Sequence, residues 1–127
     1  MLLDSHVVLW LAAADPSLGP RAREAILSAG RVFASSITML ELEIKRLSGR
    51  LTMPTDFTRS AFDELGLAEL PFVATHASRL GDFPELLGHD PFDRSLLAQA
   101  VTEGLRFYTA DRRLLALGRP WIHDARE

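Results

Sequence analysis

Short apolar, β-prone runs alternate along the chain with longer amphipathic stretches, and this alternation sets the fold expected of it. The strand-like runs are Met1–Asp4, Arg31–Ser35, Leu70–Val73, Arg106–Thr109 and Pro120–Ile122. They are apolar throughout rather than alternating, which suits strands covered on both faces. Between them the spacing predicts helices. Ser5 opens a first, running to Ala14 and ended by Asp15-Pro16, and Pro20 opens a second that closes at Gly30. Ser35 or Ser36 caps a third, in which Ile37, Leu40, Ile44 and Leu47 keep helical spacing until Gly49. A fourth spans Pro54 to Leu65 and a fifth Ala74 to Leu80. Asp90-Pro91 opens a sixth through Glu103, stopped by Gly104, and Asp111 opens a short seventh to Leu117. The longest loop-like segment is Gly81–His89. Strand–helix alternation of this kind implies an α/β fold: three layers, α/β/α, around a mostly parallel sheet of about five strands.

Composition narrows the class. A length of 127 residues implies a single domain over 1–127, with 47% apolar and 24% charged residues, the balance of a globular core. No apolar run approaches the ~18–20 residues of a membrane span. The start, MLLDSHVVLWLAAADP, has no basic region and carries an acid at position 4, so it does not read as an export signal and a cytoplasmic location is expected. Cysteine is absent, which excludes disulfides, zinc knuckles and thiol catalysis. Seventeen acids against 14 bases give a net charge of −3, which excludes a generic basic nucleic-acid coat but not focused binding.

The placement of the acids says more than their number. In open parallel sheets the working crevice lies beyond the carboxyl ends of the strands. Asp4 ends the first strand and Asp111 follows the fourth. Glu41 lies one turn into the helix after the second strand, and Asp90 and Asp93 share one face of the sixth helix. Each has a structural alternative: Asp90 and Asp111 as N-caps, Asp93 as a dipole partner, Glu41 in an i,i+4 pair with Lys45. Asp4 is the hardest to read as solvated, because it directly follows a buried strand. Gathered at one crevice, these carboxylates either protonate or hold a cation. An all-oxygen donor set suits Mg²⁺, with Mn²⁺ as a substitute.

The segments LLDSHVVLWL (Leu2–Leu11), SSITMLELEIKRLSGRL (Ser35–Leu51), HDPFDRSLLAQAVTEGL (His89–Leu105) and FYTADRRL (Phe107–Leu114) resemble the PIN-domain ribonucleases. More closely, they resemble the VapC-type toxins of bacterial toxin–antitoxin pairs. The DPFDR block followed by Thr-Ala-Asp is the specific part of the match, which spans nearly the whole chain. The resemblance implies a PIN-like fold and a Mg²⁺-dependent endoribonuclease cutting single-stranded RNA. It also implies a growth-inhibiting toxin neutralised by a VapB-type antitoxin, and homodimer formation. The implied catalytic quartet is Asp4, Glu41, Asp93 and Asp111, with Asp4 and Asp93 binding the metal directly and Asp111 and Glu41 bonding its waters. Ser5 and Thr109 match positions where the family often carries a hydroxyl, and Asp90 belongs to a DPxDR subgroup as a supporting or capping residue. Met39-Leu40 and Glu43 depart from the family pattern. Glu41 and Glu43 lie on different sides of a helix, and nearness to the strand end favours Glu41.

The bases are 13 Arg and one Lys, and Arg46, Arg50, Arg94, Arg112 and Arg113 flank the acidic segments. Guanidinium forks suit phosphate oxygens, and Arg94 and Arg112 adjoin the metal-site acids most directly. The alternative for each is a solvated helix face. His6 is expected to pack locally, His89 to be a loop residue with access to substrate, and His76 and His123 to be incidental. Trp10 and Trp121 read as core or interface. The apolar stretches Val7–Ala14 and Met39–Leu47 exceed what one small domain must bury, and by resemblance would meet a second copy or the antitoxin. Two rival functions remain at this point. A receiver- or phosphatase-like phosphotransfer domain could use Asp4, but it usually needs a lysine at the phosphate, and Lys45 lies inside a helix. An inert PIN-type binding module would need no cation site at all.

Overall fold

A computed structural model describes all 127 residues. Five strands, β1 (Leu2–Leu3), β2 (Phe33–Ser35), β3 (Ala68–Leu70), β4 (Phe107–Thr109) and β5 (Ile122–Asp124), form one sheet in the order β3-β2-β1-β4-β5. Every pairing is parallel. Seven helices connect them: α1 (Ser5–Ala12), α2 (Pro20–Ser28), α3 (Ser36–Leu47), α4 (Phe57–Asp63), α5 (Ala74–Ala77), α6 (Pro91–Glu103) and α7 (Arg112–Leu115). The Gly81–His89 stretch is compact, with two short 3₁₀ turns at Leu80–Asp82 and Pro84–Leu86. No helix is long and apolar enough to cross a membrane.

The central strands β1, β2 and β4 bury both faces, as their continuous apolar character requires. Leu3, Ala34 and Tyr108 point into a core built with α1, α2 and α4 through Val7, Val8, Ala22, Ile26, Phe57 and Ala61. Leu2 and Phe107 point the other way, against Leu96, Leu97, Ala100 and Leu114 of α6 and α7. The period of two along each strand therefore feeds two separate cores, giving the three-layer α/β/α arrangement.

Two strand positions differ from expectation. The third strand lies at Ala68–Leu70 rather than Leu70–Val73. Pro71 has no N–H to give a ladder, and the Phe72 amide donates to Ser36 Oγ instead (3.0 Å). The fifth lies at Ile122–Asp124 rather than Pro120–Ile122. As an edge strand it accepts polar residues, and His123 stacks on Tyr108 with ring centroids 5.0 Å apart. The helix ends are shorter than the patterns suggested, most of all α4 and α5. His76 is not incidental: it is buried, takes the Val73 amide on Nδ1 (3.0 Å) and bonds Glu103 through Nε2 (2.8 Å), joining α5 to α6. His6, expected to pack locally, is exposed and tilts toward Trp10, with ring centroids 6.4 Å apart.

The chain reverses its direction of travel across the sheet at β1. β2 and β3 are added on one side, and the crossover through α5 and α6 returns the chain to β4 on the other. The carboxyl ends of β1 and β4 are thus neighbours at the switch point, where α/β sheets open a crevice.

Gly19, just before α2, seats the C-terminal segment. Its N–H donates to Ala125 O (2.9 Å), and a Cβ built there would stand 2.3 Å from Arg126 O. Gly19→Ala is therefore expected to push the C-terminal segment off α2 and cost about 1–3 kcal/mol. Gly30→Ala, where nothing lies within 4 Å, should be close to neutral. Denaturant melts of the two variants check this, and equal midpoints would refute it.

Candidate active site

Local sequence places each acid. Asp4 leaves β1 in extended conformation and caps α1, its Oδ1 accepting from the Ser5 amide at 2.7 Å. Its Oδ2 accepts from the Thr109 hydroxyl at 2.5 Å. The same hydroxyl accepts from the Asp111 amide (3.0 Å), so one oxygen ties the end of β4 to the end of β1. Asp111 caps α7 by accepting from the Arg113 amide (2.7 Å), and Asp90 caps α6 by accepting from the Phe92 amide (2.8 Å). Pro91 in the first turn starts α6 with φ preset and no orphaned N–H. Asp93 follows in that turn, and Ser35 caps α3 so that Glu41 comes round toward β1.

These segments converge. Asp4, Glu41, Asp90, Asp93 and Asp111 line one cleft of about 300 Å³, together with His6, Trp10, Lys45 and Ala110. Glu41 is buried, pairs with Lys45 Nζ at 2.7 Å and receives a long contact from Ser5 Oγ at 3.4 Å. Glu43 turns away to Arg46 (2.9 Å) and Thr58 Oγ1 (3.0 Å). The glutamate next to the strand end is the one that enters the cleft.

Not every expected residue reaches the site. Arg94 folds back, donating to Leu80 O (3.2 Å) with its Nε buried and unpartnered. Arg46 is held by Glu43, and Arg50 bonds Ser48 Oγ (3.0 Å). Arg112 is exposed beside Asp111. Trp10 is half-buried on the cleft wall, while Trp121 packs edge-on to Phe83, 6.2 Å between centroids.

One further residue belongs to the site. His89 Nε2 lies 2.9 Å from Asp93 Oδ2, and the Arg113 guanidinium lies 3.1 Å from His89 Nδ1. Ligand atoms of His89, Asp93 and Asp111 fall within 4.8 Å of one another. The four-residue spacing of His89 and Asp93 at a helix start was the available signal, and a loop assignment for His89 obscured it.

Electrostatics show an excess of negative charge. Burial, then the charges of Asp4 and Asp90, push the Asp93 carboxyl up to about 7, against the His89 hydrogen bond. Burial also raises Asp4, although Thr109 and the Ser5 amide oppose it. Only Lys45 stands among the acids as a fixed cation. Carboxylate oxygens held at a proton affinity this high fit a hard divalent cation, which would displace the protons.

A match to the PIN-domain family model extends over residues 1–120. The chain belongs to the PIN-domain family. Within it this PIN domain is of the VapC type: it is 32% identical to "Ribonuclease VapC22" of Mycobacterium tuberculosis, over 94% of this chain and 93% of that protein. Solved structures show the same fold. One is VapBC2 of Rickettsia felis bound to a promoter DNA fragment (TM-score 0.69, 17% identity, covering 97% of this chain and 96% of that one). Another is a toxin–antitoxin complex from Klebsiella pneumoniae (TM-score 0.66, 17% identity, 98% and 96%).

The raised Asp93 carries a stability consequence. Unfolded, its carboxyl titrates near ~3.9; folded, near 7. Between these values the native state binds more protons than the unfolded state, so the metal-free protein loses stability as pH rises through the window. Asp93→Asn should remove that slope and raise metal-free stability above pH 7 by about 1 kcal/mol. Chemical denaturation in chelator from pH 5 to 8 checks this, and parallel wild-type and variant profiles would refute it.

Proposed function

We propose that this VapC-type PIN domain is a Mg²⁺-dependent endoribonuclease, with Mn²⁺ able to substitute, that cleaves single-stranded RNA. In this reading it is a growth-inhibiting toxin neutralised by a VapB-type antitoxin. The observation that carries it is the convergence of Asp4, Glu41, Asp93 and Asp111 on one cleft at the switch point of the sheet. The relationship to a named ribonuclease supports the substrate class, and the fold shared with toxin–antitoxin complexes supports the partner.

Asp4 and Asp93 are the residues to hold the cation directly. Both have raised proton affinity, and each oxygen of Asp4 keeps a lone pair beyond its single hydrogen bond. When bound, a divalent cation supplies an acidified water and neutralises charge on the phosphate. Asp111 and Glu41, on the other walls, orient water by accepting its hydrogen bonds, and one carboxylate of the set takes the proton of the attacking water. Ser5 and Thr109 keep the Asp4–Glu41 side in register, and Asp90 contributes the α6 cap and charge. Hydrolysis in this manner leaves 5′-phosphate and 3′-hydroxyl ends. Arg112, exposed beside Asp111, is the guanidinium best placed to meet the RNA backbone, while Arg94 supports the loop before α6.

An antitoxin segment has an apolar groove available. It measures about 520 Å³ and is lined by Leu9, Trp10, Leu51, Met53, Phe57 and Leu65, and His6 and Trp10 also belong to the acidic cleft. A segment seated there would run up to the catalytic acids. Leu40, Ile44 and Leu47 form a separate exposed stripe on α3, which suits contact with a second copy.

Asp4→Asn and Asp93→Asn should each lower Mg²⁺-dependent cleavage of single-stranded RNA by about 100-fold or more, with the fold retained by circular dichroism. Full activity in both variants would refute the assignment. Incubation with a phosphodonor should leave no phosphorylated Asp4; a stable phospho-aspartate would favour the phosphotransfer alternative, and calorimetry showing no Mg²⁺ or Mn²⁺ site would favour an inert module.

A further inference from the structure

Arg113 and His89 flank the cleft in an arrangement that RNA hydrolysis by four carboxylates leaves unused. The guanidinium Nη1 lies 3.1 Å from His89 Nδ1, and His89 Nε2 lies 2.9 Å from Asp93 Oδ2. A guanidinium only donates, so Nδ1 must be the accepting nitrogen. The ring proton of the neutral imidazole then sits on Nε2 and is donated to Asp93. The other tautomer would set two N–H groups against each other at Nδ1 and, with Asp93 ionised, two lone pairs against each other at its carboxylate. A doubly protonated ring would repeat the clash at Nδ1.

That tautomer bears on which cation the site accepts. His89, Asp93 and Asp111 bring one nitrogen and two carboxylate oxygens within 4.8 Å of one another. Such a mixed set suits Zn²⁺ and Ni²⁺ when the imidazole offers a lone pair. With the proton on Nε2 and the Arg113 guanidinium on Nδ1, no imidazole lone pair faces the acids. The side chains of His89 and Asp93 are only 11% and 16% exposed, so water competes weakly with their bond. Arg113 lies on α7, whose cap is Asp111, and His89 precedes α6, which carries Asp93. The contact therefore fixes two acid-bearing helix starts relative to each other.

We propose that Arg113 and His89 form a positioning pair that anchors one oxygen of Asp93 and withholds the imidazole nitrogen, keeping the centre oxygen-ligated and disfavouring Zn²⁺. The proposal rests on the reading of the cleft as a divalent-cation centre. It assigns no bond-making step to either residue; both act through Asp93.

The test combines calorimetric titration of the full chain with MnCl₂ and ZnCl₂ and ¹⁵N NMR of the histidine rings without metal. His89 is expected in the Nε2–H form. His89→Leu should weaken Mn²⁺ binding by about 10-fold or more, the scale of lost outer contacts to metal ligands. His89→Gln, whose amide can still donate to Asp93, should recover most of it. Arg113→Leu, a change at an exposed position, should release the tautomer and raise the Zn²⁺/Mn²⁺ affinity ratio about 10-fold; the rise should vanish in the double variant Arg113→Leu/His89→Gln. An Nδ1–H tautomer in the wild type, or an unchanged Zn²⁺/Mn²⁺ ratio in Arg113→Leu, overturns the proposal even if His89→Leu does not fold. A wild type that binds neither cation overturns the cation-centre reading together with it, whereas normal wild-type binding with unresponsive variants overturns the pair alone.

Discussion

The hydroxyl of Thr109 is the contact on which the arrangement of the cleft depends. It donates to Asp4 Oδ2 and accepts the Asp111 amide, and so locks together two strand ends that are 105 residues apart in the chain. Asp4 is 5% exposed, and a carboxylate at that depth is tolerated only when its oxygens are bonded. The bond is possible because β4 lies beside β1, and β4 lies there because the chain reverses at that strand. Topology thus supplies the hydroxyl, the hydroxyl supports the buried acid, and the acid supplies one wall of the site.

Capping and site formation are one use of these carboxylates rather than two competing uses. Asp4, Asp90 and Asp111 each accept a backbone N–H at a helix start, and each lines the same cleft. A carboxylate has about four lone-pair sites, so capping leaves capacity to spare. The helix dipole also favours negative charge where it is needed. What the caps do not relieve is mutual repulsion, and Asp93 registers it most, being less bonded than Asp4 and close to the charges of Asp4 and Asp90. His89 at Asp93 and Lys45 at Glu41 offset part of that repulsion. The remainder is a stability cost retained at the place where the proposed chemistry would need unsatisfied oxygens.

How far the sequence was legible follows from which constraints are local. Continuous apolar strands, Pro and Gly at helix ends, and acids at strand exits are local, and they led to the parallel sheet and the convergent acids. Helical geometry allowed only one of Glu41 and Glu43 to point inward, nearness to the strand end and the family resemblance favoured Glu41, and the structure turns Glu43 to Arg46 and Thr58. Nonlocal constraints were not legible. The third strand ends before Pro71, which was a local signal within the expected Leu70–Val73, while the Phe72 amide goes to Ser36 of another element, which was not. His76 is structural because Glu103 comes to it from α6, 27 residues on. Arg94 adjoins a site acid in sequence, yet its guanidinium reaches Leu80 O. Adjacency along a helix says little about direction, since neighbouring residues point to different sides.

Net charge misleads for the same reason. A value of −3 argues against an RNA partner only if the charges are spread over the surface. Here several acids face inward upon one another, and a bound divalent cation would cancel two of their charges without altering the rest of the surface. The arginines are likewise unequal: Arg46 and Arg94 are committed to internal partners, whereas Arg112, next to Asp111 in the chain, is exposed. In the proposed reading, a phosphodiester would meet a site whose negative charge lies at depth and would be neutralised by a bound cation. The sign of the local field is therefore set by occupancy of the acids rather than by their number, and this makes an acidic chain compatible with the anionic substrate proposed for it.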